Sequence, residues 1–144
     1  MLIGTILKNK GHAVETVGAK AEFAAIAVLL SDKRIGAVPV LGAEGEIRGI
    51  VSERDLVRAM ANYGVKALEL TAEQMMTRGI RTASAEMTVE AAMETMTTGR
   101  FRHLPVVEEG RLIGIVSIGD VVAARINQQE HEVDSLRAYV AGSV

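Results

Sequence analysis

Two pairs of side chains stand at one spacing in this chain: Ser52 with Asp55, and Ser117 with Asp120. A hydroxyl three residues ahead of a carboxylate suits the first turn of a helix. There the side-chain oxygens can meet backbone N–H groups that have no partner inside the helix. Each pair follows a glycine and two β-branched residues, Gly49-Ile50-Val51 and Gly114-Ile115-Val116. Adjacent β-branched residues favour a buried strand. Each copy therefore predicts a strand running into a helix, with a hydroxyl and a carboxylate at the junction. No nucleophile–base constellation accompanies them. His12, His103 and His131 are too scattered for a zinc site. Gly42, Gly45 and Gly49 lie in a hairpin turn, not between a strand and a helix, which rejects a dinucleotide fingerprint.

The two pairs belong to a duplication. Thr16 aligns with Thr82, Arg34 with Arg100 and Pro39 with Pro105 at one offset; the Ser–Asp pairs follow at an offset shorter by one. The difference falls in the turns Gly42-Ala43-Glu44-Gly45 and Glu108-Glu109-Gly110, where indels are tolerated. A repeat of roughly sixty residues thus organises the chain. In the first copy, Ala13–Val17 alternates like a short strand. Lys20–Lys33 places Phe23, Ile26, Ala27 and Leu30 on one helix face. Ala37–Leu41 reads as a strand, and Pro39, lacking an N–H, puts it at or beside a sheet edge. Glu46–Val51 completes a hairpin. A helix from Ser52 to about Asn62 ends at Tyr63-Gly64.

The second copy repeats this order: strand Ile80–Ala83, helix Thr88–Gly99, hairpin Phe101–Val107 with Leu112–Ser117, and a final helix from near Ile118. Its first helix carries Val89, Ala92, Met93 and Met96 on the matching apolar face. Thr5–Lys10 forms a short helical lead-in, and Thr71-Ala72-Glu73-Gln74 has capping-box spacing for a short helix to Met76. The expected divisions are 1–64 for the lead-in and first repeat, 65–78 for a linker, 79–126 for the second repeat and 127–144 for a helical extension. Val122, Ile126, Gln129, Val133, Leu136 and Val140 alternate four and three residues apart, a coiled-coil-like seam. Such a seam either packs back on its own subunit or joins two.

Composition narrows the class. Apolar residues make up 49% and aromatics 3%, so the core is aliphatic and Met-filled. Without cysteine there is no disulfide framework or thiol metal site, which suits a reducing cytosol. A net charge of −2 argues against a general nucleic-acid binder. The most apolar run, Ala21–Leu30, contains Glu22 and is too short to span a bilayer. The N-terminus lacks a long apolar signal region. A soluble cytoplasmic protein is expected.

The β-α-β-β-α repeat, the proline strands Ile35-Gly36-Ala37-Val38-Pro39-Val40 and Phe101-Arg102-His103-Leu104-Pro105-Val106, and the Gly-h-h-Ser-x-x-Asp endings (h, apolar) resemble CBS domains. The resemblance covers about residues 5–126 and is specific because the motif occurs twice in register. It implies an α+β fold in which two repeats pack with pseudo-twofold symmetry, as in stand-alone CBS-domain pairs. In that family the paired repeats form clefts for adenosine-containing ligands: AMP, ADP, ATP, NAD(H) or S-adenosylmethionine. Two modules often join as a homodimer.

The resemblance implies that Asp55 and Asp120 accept hydrogen bonds from ribose hydroxyls; two acceptor oxygens match a vicinal diol. Ser52 and Ser117 face the ribose or phosphate, or serve only as caps. Thr16, Ala37, Thr82 and His103 border the adenine, in part through their main chain. Arg102 and His103 are phosphate candidates, although alternation sends them to opposite faces. The first repeat has Gly36 and Ala37 there. Arg54, matched by Gly119, is another phosphate candidate or a solvated helix-end arginine. Lys33, Arg34 and Arg100 are weaker ones. The expected function is non-enzymatic: a regulatory adenine-nucleotide sensor signalling to a partner protein. The alternative is a ligand-free oligomeric scaffold.

Overall fold

The structure, a computed structural model, describes residues 1–142. In chain order it contains α1 (Ile3–Lys10), β1 (Val17–Gly18), α2 (Phe23–Lys33), β2 (Ala37–Leu41), β3 (Ile47–Ser52), α3 (Glu53–Tyr63), a 3-10 helix (Gly64–Glu69), α4 (Ala72–Met75), α5 (Val89–Gly99), β4 (His103–Glu108), β5 (Arg111–Ser117) and α6 (Ile118–Gly142). These form two compact units. The Asp55 unit comprises Ala13–Arg81 with Val107–Ile113; the Asp120 unit comprises Met1–His12, Thr82–Val106 and the chain from Gly114. No helix among the described residues is long and apolar enough to cross a membrane.

The Asp55 unit is built on a sheet ordered β1-β2-β3, with β1 parallel and β3 antiparallel to β2. The proline strand is therefore central, beside an edge strand on each side rather than at the edge itself. The sheet avoids the missing N–H by register. Pro39 lies opposite Ile50, whose N–H and C=O both turn away to Thr77, at 3.1 and 2.8 Å. Pro39 thus occupies a non-hydrogen-bonded pair of the β2–β3 ladder. Its nitrogen faces the β1 side, where pairing starts only at Val17 opposite Val40.

The predicted helix face holds. Ile26 and Leu30 are buried, and Phe23 and Ala27 are half-buried. They pack with Val38, Val40, Val51, Leu56, Ala59, Ala67 and Ala72 in one aliphatic core. The helix starts at Phe23 rather than Lys20, because Lys20 lies in a turn and Glu22 is extended as the N-cap. Of the expected Ala13–Val17, strand β1 keeps only Val17 and adds Gly18; the preceding residues have no ladder partner. The capped helix after Thr71 forms as α4, with the Thr71 N–H donating to Gln74 Oε1 at 3.0 Å.

β4 and β5 form a two-stranded sheet, of which His103–Val106 and Gly114–Ser117 belong to the Asp120 unit. The expected strand Ile80–Ala83 is reduced to one bridge, in which the Ala83 N–H donates to the Pro105 carbonyl at 2.8 Å beside Val106. Val89, Ala92 and Met96 of α5 are fully buried, as are Leu104, Val106, Val116 and Val121. The lead-in helix α1 begins earlier than expected and buries Ile3, Ile6 and Leu7 in this unit. Arg34 and Arg100 cap α2 and α5 in the left-handed conformation, with φ of 54° and 57°. Their backbone role was not apparent from their charge.

Candidate functional site

Each Ser–Asp junction is assembled from three pieces of its own unit: the end of a strand, the first turn of a helix, and a strap that crosses both. The straps are Leu70–Arg78 in the Asp55 unit and Met1–Lys10 in the Asp120 unit. They attach in the same way. Phe23 N–H bonds to the Leu70 carbonyl and Ala72 N–H to that of Ala21; equivalently, Val89 N–H bonds to the Met1 carbonyl and Ile3 N–H to that of Met87, all within 2.7–3.1 Å. The motif glycines make room for the straps. A Cβ on Gly49 would lie 2.7 Å from the Thr77 carbonyl oxygen and 2.8 Å from the Met76 sulfur. A Cβ on Gly114 would lie 2.6 Å from a Leu7 methyl.

At the first junction Ser52 is the N-cap of α3, and the capping box is complete. Asp55 Oδ2 accepts the Ser52 N–H at 2.8 Å and the Ser52 hydroxyl at 3.1 Å. Oδ1 accepts the Thr77 hydroxyl at 2.9 Å and Arg58 Nη1 at 3.0 Å. The carboxylate is 3% exposed, so its burial is matched by donors on both oxygens. Ala37, first in β2, stands opposite Ser52 in register. The Glu53 N–H bonds to the Gly36 carbonyl at 3.0 Å, locking the start of the proline strand beside the helix start.

The second junction has the same frame with a different filling. Asp120 Oδ2 accepts the Ser117 N–H at 2.9 Å, and Ser117 Oγ accepts the Asp120 N–H at 3.0 Å. The Ile118 N–H bonds to the Arg102 carbonyl at 2.7 Å, matching the Glu53–Gly36 tie. In place of threonine, Lys10 donates from Nζ to Asp120 Oδ2 at 2.7 Å and to the Ile115 carbonyl at 2.9 Å. Among the described residues, Asp120 Oδ1 has no hydrogen-bond partner. Burial is the largest influence on this carboxyl and pushes its pKa up. The Lys10 hydrogen bond, the Ser117 N–H, the Lys10 charge and the Ser117 hydroxyl together outweigh it and hold the pKa below the usual 3.8.

The other candidates fall into two groups. Ala37 and the Arg102 backbone are drawn to the junctions. Thr16 precedes β1 half-buried, Thr82 is exposed beside the Ala83 bridge, and His103 is half-buried at the start of β4. Arg102 is exposed, and so is Arg54, which makes no ion pair among the described residues. The arginine that reaches Asp55 is instead Arg58. A helical neighbour at i+3 is a readable signal for that contact. Lys10 and Thr77 lie far from their carboxylates in sequence and carry no motif of their own.

This architecture has known counterparts. The family model described as "CBS domain" matches residues 12–62 and 72–127, and the chain belongs to that family, with two repeats in tandem. CBSX3, a mitochondrial CBS domain-containing protein of Arabidopsis thaliana, is 34% identical over 117 residues; the match covers 78% of this chain and 57% of that protein. The crystal structure of the CBS-domain protein ATU1752 of Agrobacterium tumefaciens superposes with a TM-score of 0.84 at 44% identity, covering 87% of this chain and 99% of the other. The CBS domain pair of MJ0100, solved with 5′-methylthioadenosine and S-adenosyl-L-methionine, superposes at 0.77 with 25% identity, covering 86% and 98%. CBSX2, solved with AMP, shares the fold at 0.74 and 24% identity, covering 89% and 98%.

Proposed function

We propose that this protein is a regulatory sensor that binds an adenosine-containing ligand at the Asp120 junction. The observation that carries the reading is the unpartnered Oδ1 of Asp120, at a helix N-terminus, with the Lys10 ammonium on the neighbouring oxygen. A ribose diol can donate to that carboxylate, while a cation and free helix N–H groups suit a phosphate beside it. The adenosyl compounds in the MJ0100 structure support the ligand class. AMP, ADP, ATP, NAD(H) and S-adenosylmethionine are the compounds to test. Asp55 is a second position of the same design, which a ribose can enter only by displacing Arg58 or Thr77.

A ligand regulates only if it binds one arrangement of the protein better than another. A partner protein that reads that difference, a homodimeric state, a cytoplasmic setting and the absence of catalysis complete the reading. Titration calorimetry with AMP and S-adenosylmethionine tests it. Asp120→Asn should weaken binding about tenfold or more, the loss expected from charge-assisted hydrogen bonds of about 1.5–3 kcal/mol. Unchanged affinity in that variant removes Asp120 from the site. The second reading, a ligand-free oligomeric scaffold, is favoured by the exposed apolar seam of α6. It gains if no adenosyl compound raises the melting temperature, since a ligand of the folded state must raise it.

A further inference from the structure

Helix α6 continues for 25 residues and buries only Val121. From Gln129 to Gly142 every residue is exposed, including Val133 at 47% and Leu136 at 63%. Evenly spaced large apolar side chains in water on one helix mark a surface meant for another helix. The heptad register names that helix. Ile126, Val133 and Val140 occupy the first core position, and Val122, Gln129 and Leu136 the second. β-Branched residues at every first position, with leucine at one of the three second positions, lean toward a parallel two-stranded coil.

The flanking charges agree. In a parallel, in-register pair, Glu132 faces Arg137 of the partner subunit, and Arg125 faces Glu130 of the partner subunit. Arg125 is already bonded to Glu90 at 2.7 Å, so Glu132 and Arg137 carry more of this complementarity. An antiparallel pair with its core layers matched about His131 would instead bring Glu130 against Glu130 and Glu132 against Glu132. Gln129, the one polar core residue, meets its own copy only in the parallel register, where the two amides can bond. A polar residue buried in the seam costs stability unless it is hydrogen-bonded, which favours the register that pairs the two amides.

We propose that two copies of this chain associate through a parallel, in-register coiled coil of α6 along Ile126–Val140. The occupant of the exposed seam is a second copy, because the core pattern and the flanking charges are self-complementary in that orientation alone. The inference is independent of any ligand at Asp120.

The chain lacks cysteine, so cross-linking can be read without background. Under mild oxidation the full-length Gln129→Cys variant should form a disulfide-linked dimer in most of the sample. Asn127→Cys, on the outer face, should stay uncross-linked. Val133→Asp added to Gln129→Cys should reduce the dimer at least tenfold. Glu132→Arg should weaken the dimer measured by sedimentation, and Glu132→Arg with Arg137→Glu in one chain should restore it. A monomeric mass at all concentrations overturns the proposal. So does cross-linking that appears only between a Gln129→Cys chain and a Val133→Cys chain, the antiparallel outcome, or capture of a different helical protein in place of a second copy.

Discussion

Lys10 Nζ lies 2.7 Å from Asp120 Oδ2 and 2.9 Å from the Ile115 carbonyl. With one side chain it does what Thr77 does in the other unit with a hydroxyl to Asp55 and a main-chain N–H to Ile50. One slot of the repeat therefore holds a cation in one unit and a neutral residue in the other. The two junctions thereby differ in exposure and in free acceptor capacity, although Arg58 gives Asp55 a cation of its own.

The first expectation concerns acid. Asp120 titrates below the usual carboxyl range when folded, so its contribution to stability is present above its unfolded pKa and fades as pH falls through the folded value. Lys10→Met removes both the hydrogen bond and the charge, and the Asp120 pKa should rise. Urea melts of the two proteins at pH 7 and pH 3 should then show a smaller acid loss in the variant. An NMR titration of the Asp120 carboxyl that does not move on substitution refutes the attribution to Lys10.

Removing the carboxylates should have unequal effects on stability. Asp55→Ala leaves the Thr77 hydroxyl and the Ser52 N–H without their acceptor and empties a buried polar position, and should cost about 2 kcal/mol or more. Asp120→Ala loses a cap and a partly exposed ion pair, for about 1 kcal/mol. Denaturant midpoints at neutral pH measure both, and equal losses would contradict the difference in burial.

The motif glycines should differ in the same direction for another reason. An alanine Cβ at Gly49 meets the Thr77 carbonyl, which is backbone and paired with Ile50. At Gly114 it meets the end of the Leu7 side chain. Gly49→Ala should cost about 3 kcal/mol, toward the upper end of overpacking effects, and Gly114→Ala about 1. Combining Gly114→Ala with Leu7→Ala should show a favourable coupling in a double-mutant cycle, because the two groups compete for one space.

Two arginines hold conformations better suited to glycine. Arg34→Gly and Arg100→Gly relieve a side chain at positive φ at a helix C-terminus, and each should stabilise by up to about 1 kcal/mol. Thermal melts check this, and a loss of stability at either site would reveal side-chain work beyond the cap.

Much of the fold was legible because duplication doubles every signal. Ser52 and Ser117 each predicted a strand–helix junction, and the apolar faces of α2 and α5 followed from periodicity. Pro39 left the strand at or beside an edge, and the sheet takes the second option by giving it a non-hydrogen-bonded pair position, another way to tolerate a missing N–H. The strands before Thr16 and Thr82 shrank because the parallel partner offers few ladder positions there. At the junctions the acceptors were readable and the donors were not. Ser–x–x–Asp spacing is local, whereas Lys10 and Thr77 arrive through straps whose destination no periodicity encodes. Arg54, read as a phosphate candidate or a solvated arginine, is exposed, while Arg58, one helical turn along from Asp55, reaches the carboxylate.

The straps also set an order of events. The Asp55 unit is nearly continuous in sequence, its strap following α3 and the 3-10 helix. The Asp120 unit joins Met1–His12 to the segment from Gly114, with Lys10 and Asp120 separated by 110 positions. During synthesis one unit can gather most of its elements while the chain is still growing. The other must keep an amphipathic amino-terminal helix waiting until α6 has emerged. Closing so long a loop is slow relative to local contacts. Until then Ile3, Ile6 and Leu7, which α1 buries in the folded unit, have no core to enter.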